Sequence, residues 1–182
     1  MLDEVQTGLG RTGKLFAHQH YGIEPDAMAV AKALGGGFPI GAFLAKDHCA
    51  VLGQGEHGTT FGGNALACEV GYTVLTYMLK HDLPSQVAKK GDYIERKLHS
   101  LADRRPMITE VRGKGLIWAL ELDRPVAEEI MGVCSEEGLL VNNVKPTALR
   151  FIPPLTVSED EIDRAIEIVD RVLARFEAGG PK

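Results

Sequence analysis

The sequence predicts an α/β fold followed by a smaller α+β domain. Short apolar runs separated by glycine-rich turns occupy the start of the chain, as expected for buried strands. A long apolar segment and an amphipathic segment then follow with helical spacing. In the last part of the chain, strand-like runs alternate with helical patterns, and the final helix begins with a capping box.

The first part of the chain predicts strands that lead into two helices. Residues 64–79 contain too many apolar side chains for a surface helix, so they predict a helix buried between layers or at a subunit interface. A break at residues 82–84 separates it from a second helix over about residues 85–102. The preceding strands are expected over residues 2–5, 27–31 and 40–45.

A boundary is expected near Arg105, where two arginines and a proline interrupt the apolar pattern. It divides a domain of residues 1–104 from a domain of residues 105–182. In the second domain, Ser158 and Glu161 have the spacing of a capping box. The expected elements are strands over residues 117–122, 139–144 and 149–152, a helix over about residues 123–138, and a final helix from Ser158 to a stop at residues 179–181.

Composition excludes several classes of protein. The 182 residues carry a net charge of −5 with both signs interspersed, which is not the pattern of a nucleic-acid-binding protein. No apolar run is long enough to predict a membrane span. The three cysteines and six histidines have no metal-ligand spacing, so no metal site and no disulfide framework are expected. These features favour a cytoplasmic protein.

Lys32 lies between an apolar run at residues 27–31 and a glycine-rich loop. A lysine at the end of a buried strand is poorly hydrated, and desolvation lowers the pKa of its ammonium group, which suits imine formation. The neighbouring glycines let the backbone approach a ligand closely. The segment therefore indicates a Schiff-base lysine, the attachment point of pyridoxal phosphate. Taken alone, it is more typical of a solvated lysine beside an ordinary loop.

Two adjacent carboxylates, Asp3 and Glu4, precede an amide and a glycine-rich turn. Successive side chains of an extended chain point to opposite faces, so the two are not expected to form an acid/base pair. One of them can face a ligand while the other faces protein. The alternative is a strand end followed by an ordinary turn.

Two further segments carry polar groups that suit an anionic ligand. Residues 57–64 place hydroxyls beside glycines, which is typical of a phosphate cradle and equally of an N-cap for a helix that starts near Asn64. Arg150 lies within an apolar run and precedes two prolines. Its guanidinium is either snorkelling from the core or held for a carboxylate.

Taken in their order along the chain, these four segments resemble the C-terminal half of the class III aminotransferases. This is a family of fold-type I enzymes that depend on pyridoxal phosphate. The resemblance also includes residues 111–116 and covers nearly the whole chain. Each segment alone is weakly specific, whereas the combination is highly specific. The resemblance implies the C-terminal part of a large cofactor-binding domain, followed by a small α+β domain.

The resemblance assigns a role to five residues. Lys32 matches the lysine that forms the Schiff base, and Asp3 matches the carboxylate that pairs with the pyridine nitrogen. Gln6 matches the side chain that contacts the phenolic oxygen of the cofactor. Thr60 matches a threonine that reaches the cofactor phosphate across a dimer interface. Arg150 matches the arginine that binds the α-carboxylate of the substrate.

The reaction that the resemblance implies is amino-group transfer from an N-acylated ornithine to 2-oxoglutarate, as in arginine biosynthesis, by a homodimeric enzyme with small-molecule substrates. Ornithine, succinylornithine and 4-aminobutyrate remain open as amino donors. An aminomutase of the same fold is a second alternative, although the Arg150 segment favours amino-acid and oxo-acid pairs. A non-catalytic half-protein that pairs with an intact homologue is a third.

Enzymes of this family also contain an N-terminal half, with a second phosphate-binding loop and an aromatic residue that stacks on the cofactor ring. No segment before Lys32 is long enough to supply these parts. We therefore expect the sequence to be an incomplete fragment, inactive on its own. Unpaired sheet edges left by the missing strands predict that it aggregates.

Overall fold

The computed structural model describes residues 1–179. In this part of the chain, seven strands and four α-helices follow one another in the predicted α/β then α+β order. No helix among the described residues is both long and apolar enough to cross a membrane. The elements are β1 (Leu2–Asp3), β2 (Ala27–Val30), β3 (Ala42–Ala45), α1 (Ala65–Lys80), α2 (Leu83–Arg104), β4 (Ile108–Lys114), β5 (Ile117–Leu122), α3 (Ala127–Glu136), β6 (Asn142–Lys145), β7 (Ala148–Phe151) and α4 (Glu159–Glu177).

The chain forms two compact units that divide between Gln86 and Val87, in the first turn of α2. The predicted boundary, after residue 104, falls at the end of α2, whereas the observed division falls in its first turn. The difference arises because the apolar residues of α2 from Val87 onward pack into the core of the second unit. The interpretation of the two parts as domains of a larger enzyme stays a prediction.

The first unit is built on a three-stranded sheet in the order β1-β2-β3. β1 and β2 are parallel, with Leu2 opposite Met28 and Asp3 opposite Ala29. β3 is antiparallel to β2 and forms an edge of the sheet. All three predicted strands are therefore present, although each is shorter than the apolar run that predicted it.

Helix α1 begins after Asn64, whose side-chain oxygen accepts a hydrogen bond from the Ala67 amide at 2.9 Å. This is the predicted N-cap, since the bond satisfies a backbone donor that has no partner within the helix. Within the first unit the helix is mostly exposed, and only Ala67, Gly71 and Met78 are buried. Leu66 remains 64% exposed. Of the two predicted environments, residues 1–179 do not bury the helix between layers, so the interface alternative stays a prediction.

The second unit packs helices on one face of a four-stranded antiparallel sheet in the order β4-β5-β7-β6. Trp118, Leu120 and Leu122 alternate along β5 and are buried. They join one core with apolar residues of α2, α3 and α4. Strand β4 was not predicted, because only Ile108 and Val111 interrupt its exposed polar residues.

The close approach of α2 to the β4–β5 turn requires glycine. A Cβ atom on Gly91 would lie 2.7 Å from the Cα atom of Gly115, which is closer than real Cβ contacts. The carbonyl of Gly115 accepts a hydrogen bond from the indole of Trp118 at 2.7 Å. The buried indole donor is thereby satisfied, and α2 packs tightly on the sheet.

The capping box at the start of α4 is present as predicted. The Ser158 hydroxyl accepts from the Glu161 amide, and the Glu161 carboxylate accepts from the Ser158 amide. Apolar residues at helical spacing then bury one face of the helix, including Val169 and Leu173. The predicted stop at residues 179–181 lies outside the described residues except for Gly179, and the helix ends at Glu177.

Candidate functional site

Asp3 and Glu4, at the end of β1, have opposite environments. Asp3 is exposed, and one of its carboxylate oxygens accepts a hydrogen bond from the Val5 amide at 2.9 Å. Glu4 is only 3% exposed. This is the alternation expected of an extended chain, and it leaves Asp3 accessible to a ligand while Glu4 faces protein.

The Glu4 carboxylate is surrounded by hydrogen-bond donors. It accepts from the Thr7 hydroxyl at 2.6 Å, from the Ala17 amide at 3.1 Å and from the His18 amide at 2.9 Å. The Nδ1 atom of His18 lies 3.3 Å from the same carboxylate. Burial by itself would raise the pKa of Glu4, but the bonds from Thr7 and the two amides outweigh it and lower the pKa below its usual value. Glu4 is therefore an ionised buried group.

Gln6 lies inside a tight turn that Glu4 closes. The Gly8 amide donates to the Glu4 carbonyl at 2.9 Å, which brackets residues 5–7. A Cβ atom on Gly8 would lie 2.7 Å from that carbonyl oxygen, so only glycine fits there. The half-buried Gln6 thus lies in a turn whose two ends, Glu4 and Gly8, are joined by a backbone hydrogen bond.

Lys32 comes two residues after the end of β2 and begins a 3-10 turn over Lys32–Gly35. Its φ is +46°, and only two other non-glycine residues among those described, Leu9 and Asp82, have a positive φ. A non-glycine residue in this region is strained by roughly 1 kcal/mol or more. Strain of this kind is concentrated at functional positions, which supports a specific role for Lys32.

Lys32 and Asp3 lie at the same end of the sheet, where the carboxyl ends of β1 and β2 are neighbours. β1 and β2 are parallel neighbours, and Asp3 is the last residue of β1 while Lys32 comes two residues after the end of β2. The carboxyl end of a parallel sheet is where ligands bind in open α/β folds. The structure thus places an amine and a carboxylate at the edge where such a ligand would lie.

The described residues do not provide the predicted desolvation of Lys32. The side chain is exposed rather than poorly hydrated, because the strand that precedes it is short and the loop that follows is itself exposed. This corrects the expectation that a buried strand alone would desolvate the lysine. Covering groups would have to come from outside the described residues.

The glycine loop after Lys32 packs against α1. Gly36 and Gly37 have positive φ values, +57° and +114°. A Cβ atom on Gly36 would lie 3.1 Å from a methyl group of Val74, and one on Gly71 would lie 3.3 Å from the Ile40 side chain. The absence of side chains at these positions lets the loop lie close to the helix.

Thr60 lies in an exposed turn just before α1. The neighbouring Thr59 hydroxyl accepts from the Gly62 amide at 3.1 Å, and the Asn64 side-chain amide donates to the Phe61 carbonyl at 2.8 Å. These bonds shape the turn and hold it to the start of the helix. The exposed Thr60 hydroxyl has the position of a surface donor, as a role toward a second subunit would require.

In the second unit, Arg150 is half-buried on β7, on the face of the sheet opposite the core. Its register partners are Ala119 on β5 and Asn142 on β6. The Nε–H group of Arg150 donates to the Asn142 side-chain oxygen at 3.2 Å. Both residues line a groove of about 510 Å³ whose other walls are mainly apolar. The guanidinium is therefore held by a neighbour, which fits an oriented group better than a snorkelling one.

Glu121, on β5, gathers several charges on this sheet face. It accepts from the Thr147 hydroxyl, and its carboxylate pairs with Lys145 at 2.9 Å and Arg112 at 2.9 Å. The Thr147 hydroxyl first, and then Lys145 and Arg112, lower the pKa of Glu121 to about 2. The sequence alone does not identify Glu121, Asn142 or the Ala17 and His18 donors to Glu4, because their partners lie eight or more residues away in the chain.

No group of three or more His, Cys, Asp and Glu side chains that could hold a metal ion occurs in the part of the chain that the structure describes. Cys134 is buried, Cys68 is exposed, and Cys49 is half-buried, all as free thiols. Burial, followed by the nearby Glu137, raises the pKa of the Cys134 thiol to about 11.

Comparison with known proteins places the chain in context. The model of the class-III aminotransferase family matches residues 1–173. The chain is 51% identical over 176 residues to an acetylornithine aminotransferase of Caldanaerobacter subterraneus, covering 97% of this chain and 45% of that protein. It is 43% identical to a succinylornithine transaminase of Photorhabdus laumondii, with 97% and 45% coverage.

A solved structure shows the same fold. The ornithine delta-aminotransferase of Plasmodium falciparum superposes with a TM-score of 0.92 and 38% identity, over 98% of this chain and 47% of that one. The chain thus spans somewhat less than half the length of the proteins that it matches.

Proposed function

The chain belongs to the class-III aminotransferases, and we propose that it is part of a pyridoxal-phosphate-dependent transaminase. Its reaction would move an amino group between N-acetylornithine, or a related ω-amino donor, and 2-oxoglutarate, in the biosynthesis of arginine. The observation that carries the proposal is the placement of Lys32 and Asp3 at the carboxyl edge of neighbouring parallel strands. The cytoplasmic setting and the homodimer stay predictions.

The residues at the sheet edge fit pyridoxal phosphate by their chemistry. The carboxylate of Asp3 ends β1, the amide of Gln6 lies in the turn that follows, and the amine of Lys32 comes two residues after the adjacent strand β2. A loop with positive-φ glycines lies next to the amine. Lys32 would hold the cofactor through its Nζ atom, and Asp3 would face the ring nitrogen. Gln6 would donate to the phenolic oxygen, and Thr60 to the phosphate of a cofactor in a second subunit.

When bound, pyridoxal phosphate supplies an electron sink for the bonds at the substrate Cα. The carboxylate of Asp3 favours a protonated ring nitrogen, because an opposite charge nearby stabilises the charged form. The Nζ atom of Lys32 would take the proton from the substrate Cα as a base and then, as an acid, deliver it to the C4′ atom of the cofactor. Arg150 offers a planar, permanently charged guanidinium that binds the α-carboxylate and orients the substrate.

The choice of amino donor is the open part of the proposal. The 51% identity to an acetylornithine aminotransferase favours N-acetylornithine, while the 43% identity to a succinylornithine transaminase keeps N-succinylornithine open. Ornithine and 4-aminobutyrate are further donors to compare. An aminomutase would isomerise its substrate without consuming 2-oxoglutarate, and a non-catalytic half-protein would do neither.

The test is to reduce the protein with borohydride after adding pyridoxal phosphate and to locate the label by peptide mass spectrometry. It is carried out on the longest gene product that contains this chain. We expect the label on Lys32, its loss in Lys32→Arg, and its retention in the control Lys14→Arg, which changes an exposed lysine of the same unit. A label on another lysine would show that the assignment is wrong.

The same product, assayed with each amino donor and 2-oxoglutarate, should form glutamate fastest from N-acetylornithine. Faster turnover of a different donor would move the function to another member of the family. No glutamate from any donor, with Lys32 labelled, would leave the aminomutase and the non-catalytic half-protein, and isomerisation of an amino acid without 2-oxoglutarate would then identify the aminomutase.

A further inference from the structure

We propose that Glu4 is a positioning residue, whose buried carboxylate joins the end of β1 to the loop of residues 5–18 and so fixes Asp3 and Gln6 toward the cofactor. The inference rests on the proposed function, because it takes Asp3 and Gln6 as the side chains that face pyridoxal phosphate. Glu4 itself is buried and would not touch the cofactor.

The carboxylate of Glu4 connects two distant parts of the loop. Thr7, three residues along the chain, donates to one of its oxygens, and the Ala17 and His18 amides donate from the far end of the loop. A buried carboxylate with charge-assisted bonds to backbone amides is a strong local anchor. Without it, the two partly buried amides would lose their acceptor, which is costly.

The backbone of Glu4 is bonded as well. Its amide donates to the Ala29 carbonyl on β2 at 2.9 Å, and its own carbonyl accepts from Gly8 at 2.9 Å. One residue therefore connects β2, the turn around Gln6 and the far end of the loop. The bond to Ala29 lies three residues before Lys32, so the same anchor connects the two halves of the proposed site.

The loop needs such an anchor because glycine makes its backbone permissive. Gly8, Gly10 and Gly13 all lie within it, and the last two have positive φ values, +86° and +92°. Glycine-rich segments lose more conformational freedom on ordering than other segments. With Glu4 held inward, the alternation of the strand directs Asp3 outward, and the closed turn limits the positions that Gln6 can take.

A purely structural role would predict something different. A carboxylate that only stabilises the fold would affect unfolding and leave the properties of the bound cofactor unchanged. A positioning role predicts a change in how the cofactor ring is held, since Asp3 and Gln6 face its nitrogen and phenolic oxygen. The absorbance of the bound cofactor as a function of pH reports on that environment and separates the two roles.

The experiment compares Glu4→Gln with the unsubstituted protein, using the longest gene product that contains this chain and pyridoxal phosphate as the probe. We expect faster hydrogen exchange at the Ala17 and His18 amides, a shifted pH titration of the cofactor absorbance, and a Kd for the cofactor raised about tenfold or more, since one charged hydrogen-bond acceptor is lost. The matched control is Glu24→Gln, which neutralises an exposed glutamate of the same unit that pairs with Lys46. It should change none of these quantities.

Thr7→Val removes one donor and leaves the carboxylate in place, so it decides the question if Glu4→Gln does not fold. We expect a smaller shift in the same direction. Faster exchange with an unchanged cofactor titration would overturn the inference and leave Glu4 a structural residue. Unchanged exchange in both variants would overturn it too. Failure of borohydride to label Lys32 in the unsubstituted protein would instead overturn the proposed function, and this inference with it.

Discussion

Residues that are adjacent in the chain have different chemistry here because of what surrounds them. Glu4 is buried among donors, while Asp3, one residue earlier, is exposed. Burial of an unpaired carboxylate costs several kcal/mol, which is comparable with the net free energy of unfolding of a whole domain. The donors around Glu4 are therefore needed for the fold. Arg150 is the comparable case in the second unit, where Asn142 accepts from its Nε–H group.

Arg150→Ala, made in the longest product that contains this chain, should weaken binding of carboxylate substrates and leave cofactor attachment intact. The loss of a charged hydrogen-bonding group is expected to raise KM about tenfold or more. The measurement is steady-state kinetics together with the cofactor absorbance. Arg164→Ala changes an exposed arginine of α4 and serves as the control. Loss of the cofactor from the Arg150 variant would mean that its role has been misplaced.

At the scale of elements, the two sheets differ in how far their residues are covered by other parts of the chain. The four-stranded sheet of the second unit has a closed apolar core on one face and a charged network on the other. The three-stranded sheet of the first unit is short, and every residue of its edge strand β3 is exposed. Strand β5 contributes side chains to both faces of the larger sheet, since Glu121 lies between the buried Leu120 and Leu122.

Glu121 should stabilise the second unit in a pH-dependent way. Its folded pKa of about 2 lies below the usual value of 4.5, so its contribution is fully present above about pH 4.5 and is lost as the pH falls through about 2. In urea unfolding followed by the fluorescence of Trp118, the only tryptophan, Glu121→Gln should be less stable than the unsubstituted chain near neutral pH. The difference should shrink as the pH falls from 4.5 toward 2.

The control for this measurement is Glu128→Gln, which changes an exposed glutamate of α3. Its effect on the urea midpoint should be small at every pH. A constant difference between Glu121→Gln and the unsubstituted chain down to pH 2 would contradict the assignment of the low pKa to Glu121.

At the scale of the whole molecule, the two units differ in how much apolar surface they leave exposed. The second unit buries a continuous core from Val87 to Phe176. The first unit leaves large apolar side chains exposed, and exposed apolar surface favours association or aggregation. They include Phe43, Leu44, Val51, Leu52, Phe61, Leu66, Tyr72, Tyr77 and Leu79.

The 182-residue chain by itself should therefore self-associate at micromolar concentration, as measured by light scattering after size-exclusion chromatography. Phe43→Thr combined with Phe61→Ser should lower the scattering, because these side chains are 62% and 80% exposed. Val144→Thr, on the edge strand β6 between polar neighbours, should have little effect. A monodisperse monomer that unfolds cooperatively would contradict this prediction.

The sequence by itself determined the local features of the protein and the family to which it belongs. The N-cap at Asn64, the capping box at Ser158 and the strand over residues 117–122 depend on residues a few positions apart, and the sequence predicts all three. The order of the motifs predicted the class-III aminotransferases, which the family match over residues 1–173 confirms. The roles of Lys32, Asp3, Gln6, Thr60 and Arg150 stay predictions.

Only the tertiary structure decided features that depend on distant residues. It showed that Glu4 is anchored by Ala17 and His18, that Lys32 is exposed and strained, and that the units divide within α2. It also showed β4. The mostly polar residues of this strand contain no apolar run, and the strand is held by backbone pairing with β5. The physical reason is that helical or strand periodicity and capping are local, whereas burial and hydrogen-bond partners depend on which distant segments meet.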